Sequence, residues 1–224
     1  MHHIESTWLA RSLRKFPRTA VIRGVINRYL EEDNHLLTGD LRRYRVPRFL
    51  LNDIVRFWRT MGVDFASKQR DRAGEGWGLR NAKLRMSRKL IFASGLLVCF
   101  DCNLDTTLQK KIPTEESDVK LNLVNHIREQ VKLTPLEILA NAVERHRVSN
   151  PVAQELFGAY AEFLNVLNDK KSREALEKLR AADSRTDPTF KHIREISEEL
   201  EHALDHVFFE NSHLAPLTRK YGVF

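Results

Sequence analysis

The chain has 224 residues, 42% of them hydrophobic and 30% charged. That supports a packed core and excludes a disordered chain, while two cysteines exclude a disulfide scaffold and fit a reducing cytoplasm. The formal net charge of +7 favours an anionic partner: nucleic acid, nucleotide or an acidic protein face. Nine glycines and seven prolines are few breakers for a chain rich in Leu, Ala, Glu, Lys and Arg. The expectation is all-α: a bundle of about seven or eight helices forming one domain over 1–224, with a soft boundary in a loop at 101–118.

In chain order, Pro17 to Glu32 reads as a helix with Val21, Ile22, Val25, Ile26, Tyr29 and Leu30 on its apolar side. Leu36 to Val46 reads as a basic connector carrying Arg42, Arg43 and Arg45. Pro47 fits the first turn of a helix, where its missing N–H costs nothing. From there to Lys68, Leu51, Ile54, Trp58, Met61 and Phe65 recur at three- and four-residue steps and define one buried stripe. Asn52, Arg56 and Arg59 share another side.

A charged, glycine-punctuated loop, Arg70 to Gly78, leads into the next helix. Its stripe is Leu79, Ala82, Met86, Leu90, Ala93 and Leu97. The helix opens with Arg80, Asn81, Lys83, Arg85, Arg88 and Lys89 and turns apolar from Leu90, so its rear is expected at the centre of the core. Asp101 to Asp118 reads as a polar loop. Thr134-Pro-Leu-Glu137 is a capping box with proline at the first helical position. Asn150-Pro151 and Asp187-Pro188 have a cap-then-proline form. A short charged helix is expected over Ser172 to Ala182, and an irregular tail from Asn211.

The longest apolar run, Leu90 to Phe100, is too short to span a bilayer, and Met1 to Glu5 lacks a signal-peptide pattern. A cytoplasmic protein with no membrane partner is expected.

The glycine loop has the freedom to bring backbone N–H groups toward an anion at a helix start, with the basic helix front behind it. No Gly-Lys-Ser/Thr follows and no strand precedes it, so neither a Walker loop nor a dinucleotide fingerprint is present. Trp77, beside Arg80, is open to base stacking or to core packing. Glu198, His202 and His206 share one helix face at zinc-ligand spacing, but the surrounding acids favour a solvated acidic face, and no metal residue is assigned. Cys99-Phe-Asp-Cys102 lacks a second cysteine pair, so Cys99 reads as a small core residue.

The segments NDIVRFWRT (Asn52 to Thr60) and GWGLRNAKLRMSRKLIFASGLL (Gly76 to Leu97) resemble the C-terminal helical region of predicted nucleotidyltransferases of the DNA polymerase β superfamily. The likeness covers about Pro47 to Phe100. It implies a helical region that follows a small α/β catalytic domain and helps to hold nucleotide or acceptor substrate. The matching positions are Asn52, Arg56, Arg59, Arg80, Asn81, Lys83, Arg85 and Arg88. The superfamily's Gly-Ser turn and Asp-x-Asp metal-binding pair are missing from this sequence. The resemblance therefore implies an accessory, substrate-binding part that is not catalytic alone. Magnesium and a nucleoside triphosphate are implied only with a catalytic domain supplied in the same or another chain.

The composition also resembles HEPN-type helical ribonucleases, whose motif is Arg, a short spacer, then His; Arg28 and His35 meet that spacing. The expected role is binding a nucleotide or RNA through Arg56, Arg59, Arg80, Asn81, Lys83, Arg85 and Arg88, with Trp77 as a stacking candidate. The alternative is a protein-interaction module docking an acidic partner, and the third reading is the helical ribonuclease.

Overall fold

A computed structural model describes residues 18–33, 36–37, 43–71, 74–112 and 115–222. Among these the chain is all-α with no strand; Leu37 and Tyr44 make an isolated antiparallel bridge. The helices are α1 (Arg18–Glu31), α2 (Arg48–Asp71), α3 (Trp77–Lys83), α4 (Lys89–Leu104), α5 (Thr106–Gln109), α6 (Glu116–Gln130), α7 (Pro135–Arg145), α8 (Asn150–Asn168), α9 (Lys170–Lys178), α10 (Pro188–Asp205) and α11 (Leu214–Tyr221). A π turn, Leu84–Arg88, joins α3 to α4 without a break, and a second, His206–Glu210, extends α10. With continuous pieces joined and four-residue α5 set aside, nine helices are described, slightly more than expected.

The chain forms two compact units. The first comprises Met1–Arg56 and Ile91–Ala142, and the second Phe57–Leu90 and Val143–Phe224. In the first unit α1 packs on α6, and α4 supplies the core through Ala93, Leu96, Leu97, Val98, Cys99 and Phe100, all buried. Gly95 sits under Ile54: a Cβ there would lie 3.0 Å from the Ile54 Cγ2. The buried Asp33 carboxylate anchors the start of α2, accepting from the Arg48 backbone N–H at 2.9 Å and from its guanidinium at 3.1 Å. A carboxylate at a helix N-terminus complements the free N–H groups there.

The polar stretch after α4 is more helical than its composition suggests. Helix α4 runs on to Leu104 and α5 follows, capped by Asp105, whose carboxylate accepts from the Leu108 N–H at 2.6 Å. The polar side chains serve the fully buried Tyr44: its carbonyl accepts from Asn103 Nδ2 at 2.7 Å, and its N–H donates to Gln109 Oε1 at 3.0 Å. Those bonds satisfy backbone groups that burial would otherwise leave unpaired.

In the second unit α8 and α10 pack face to face, and α9 and α10 flank α3. Ala82, Met86 and Leu90 of the expected stripe are buried here. Their four-residue steps survive the π turn, which fits more residues per turn than an α-helix. In the first unit the capping box of α7 is formed: the Thr134 N–H donates to Glu137 Oε2 at 2.6 Å, and the Glu137 N–H to Thr134 Oγ1 at 3.3 Å. Asp187 caps α10 through the Phe190 N–H at 2.7 Å. Asn150 does not cap α8; Ser149 holds that position, one residue earlier.

The tail from Asn211 is not irregular. Asn211 Oδ1 accepts from the N–H groups of His213 and Leu214, and α11 follows with Leu214, Ala215 and Thr218 buried. The helical run Trp77–Gln109 is, by length and composition, apolar enough to cross a membrane, more than Leu90 to Phe100 alone suggested. Half of its apolar window is buried inside the protein, as in a core helix.

Candidate functional site

Gly74 and Gly76 take φ values of +82° and +64°, the left-handed region that glycine enters without strain. Three backbone donors of the turn they make are bonded within the protein. The Gly74 N–H donates to the Gln69 carbonyl, the Trp77 N–H to Gly74, and the Gly78 N–H to Leu179. These three N–H groups are therefore taken within the protein. The loop brings α3 against α9. A Cβ on Gly78 would lie 2.8 Å from both the Leu176 carbonyl oxygen and the Leu179 Cβ. Trp77 lies against Phe190, the ring centres 5.0 Å apart, so packing occupies at least one side of its indole.

The basic residues of this helix divide between two neighbours. Toward α10, Arg85 donates from Nε to Asn81 Oδ1 at 2.8 Å and reaches Ser197 Oγ at 3.5 Å. Lys89 pairs with Glu201 at 2.9 Å. Toward α9, Lys83 stands among Arg173, Glu177 and Arg88. Burial holds its ammonium below the ordinary value, the Arg173 charge lowers it further and Arg88 adds to this, while Glu177 opposes them. Glu177 is itself engaged by Arg173 Nε at 3.2 Å. Arg80 is half-buried near Gly76, and Arg56 and Arg59 are exposed on α2, with Arg56 3.6 Å from Asp53.

The chemistry of the α3–α9 face follows from charge. Lys83, Arg88 and Arg173 share one electrostatic neighbourhood with Glu177. An anion placed there relieves their mutual repulsion, and ionisable groups perturbed in this way are markers of binding sites. Sequence reading reached Lys83 and Arg88. It missed Arg173, which stands on a helix whose spacing reads as an ordinary solvated charged helix.

A second cluster lies in the first unit. Asp101 Oδ2 is 3.1 Å from His126 Nε2, and with Asp105 these side chains offer three ligand atoms within 4.8 Å of one another. Two carboxylates and an imidazole could hold a divalent cation. The i, i+4 spacing of Asp101 and Asp105 was a visible signal; His126, on α6, becomes their neighbour only through the fold.

On α10, His202 and His206 share a face as their spacing predicts, but the carboxylates that meet them are Glu155 and Glu210 rather than Glu198. Cys99 and Cys102 are fully buried free thiols, and burial pushes both well above the ordinary thiol range. This fits the core role read from the sequence. Arg28 is exposed on α1, and His35 lies outside the described residues. No family model, curated protein or solved structure matches the chain at a significant level.

Proposed function

We propose that the chain binds a phosphate-bearing ligand, a nucleotide or RNA, at the cationic face formed by Lys83, Arg88 and Arg173. The observation that supports this reading is the close approach of α3 to α9 at Gly78, which half-buries Lys83 near Arg173, with Arg88 further along the same helical run. A fold that tolerates such repulsion gains when an anion enters. The resemblance over Pro47 to Phe100 supports a narrower role. The chain is then the substrate-binding helical region of a cytoplasmic, nucleotidyltransferase-like protein, working with magnesium, a nucleoside triphosphate and a catalytic domain from the same or another chain.

Arg85 and Asn81 take a supporting place in this reading, because they bond to each other and Arg85 to α10. The informative variant is therefore Lys83→Glu with Arg88→Glu. It should lose retention on immobilised ATP or RNA that the wild type shows at low salt. Equal retention of variant and wild type would rule the site out.

A further inference from the structure

We infer that His202 and His206 form an open metal site for a divalent transition ion, with zinc as the representative probe. The two imidazoles are one helical turn apart at the C-terminal end of α10, where the π turn His206–Glu210 begins. Their Nε2 atoms are 3.2 Å apart. The far nitrogen of each ring faces a carboxylate: His202 Nδ1 is 2.8 Å from Glu155 Oε1, and His206 Nδ1 is 2.5 Å from Glu210 Oε2.

Proton counting makes this arrangement informative. An ionised carboxylate requires the nitrogen facing it to be an N–H donor. Glu155 and Glu210 therefore fix both rings with Nδ1 protonated, which leaves two Nε2 lone pairs pointing into the same gap. Two lone pairs at that distance repel unless a cation lies between them, either a shared proton or a metal ion.

Zinc–nitrogen bonds of about 2.0–2.1 Å at a tetrahedral angle would set the nitrogens about 3.3 Å apart and the ring centres about 5.2 Å apart. A head-on N–H···N bond of the observed length would hold the ring centres roughly 5.5 Å apart. The observed separation of ring centres is 4.6 Å, with the rings nearly perpendicular. That is shorter than either figure, so the ring centres must open by about 0.6 Å to take an ion at zinc–nitrogen bond length. The carboxylate behind each imidazole is the usual second shell of a histidine-bound metal, fixing tautomer and orientation.

Imidazole nitrogen suits zinc, nickel or copper. Only two protein ligands converge, and the His202 side chain is 63% exposed. The remaining coordination positions therefore face solvent and accept water or an external ligand. A closed structural site takes four protein ligands, so an ion held by these two would exchange with solvent.

The test is isothermal titration of the full-length protein with zinc chloride. The parent chain carries His2→Ala and His3→Ala, so that an N-terminal histidine pair cannot supply the binding. One zinc ion per chain is expected. His202→Gln should weaken its affinity by at least about 10-fold, and Glu155→Gln, which touches no ion, by about 10-fold or more. Asp118→Asn, at an exposed carboxylate of the first unit, should leave it unchanged. Matching circular dichroism of the metal-free variants would show that each is folded. The inference is overturned if the parent chain takes up no zinc, if His202→Gln binds as tightly as the parent, or if Asp101→Asn alone abolishes binding.

Discussion

The backbone N–H of Gly78 donates to the Leu179 carbonyl at 3.2 Å, so α3 meets the end of α9 with no side chain between them. That contact sets Lys83, about one turn further along α3, beside Arg173 of α9. A methyl group at residue 78 would lie 2.8 Å from a backbone oxygen that cannot swing aside. Gly78→Ala should therefore cost about 1–3 kcal/mol of stability through overpacking, read as a lower urea midpoint. It should also weaken RNA binding by displacing α9. An alanine variant as stable as wild type would show that the two helices are not in this contact.

Lys83 should oppose folding at neutral pH. Its ammonium is lowered from the ordinary 10.5, mainly by burial, so the folded chain releases this proton at a lower pH than the unfolded chain. In the window between the folded value and 10.5 the unfolded state holds more protons, and stability rises with pH. Below the window the charged group costs its full penalty. Lys83→Gln should thus stabilise the protein at pH 7 by no more than about 1 kcal/mol after solvent screening, while weakening anion binding. Urea denaturation at pH 7 and pH 11 checks this, because the gain should shrink at the higher pH. A variant less stable than wild type at pH 7 would contradict it.

The two cysteine thiols should be inert in the folded protein. Both are fully buried, and burial raises them far above the range in which thiolate forms. A thiol-specific disulfide reagent should label neither in native buffer and both in guanidinium. Rapid labelling of the native protein would place them outside the core.

The core was largely legible in the sequence because its signal is local. Ala82, Met86, Leu90, Ala93 and Leu97 are buried as their spacing requires. Thr134 with Glu137, and Asp187 with Phe190, form the caps that their residue types announce. The tail helix α11 was hidden because the side chains that hold it, Leu214 and Ala215, are too few to establish a period. The helical segment after Phe100 was hidden because Asn103 and Gln109 look like loop residues until Tyr44, far off in sequence, supplies the groups they bind. The candidate sites were half legible for the same reason. Spacing along one helix singled out Lys83 with Arg88 and set His202 and His206 on one face, which read as solvated and acidic, while Arg173, Glu155 and His126 come from other helices that only the fold brings near.

The most direct measurement is fluorescence anisotropy of a labelled single-stranded RNA, titrated with the protein at low and moderate salt. Neutralising about three phosphates on a single strand should give a slope near −2 in log affinity against log salt. Lys83→Glu with Arg88→Glu should lower affinity at least about 10-fold and flatten that slope. Wild-type affinity and slope retained in the double variant would contradict binding at this face.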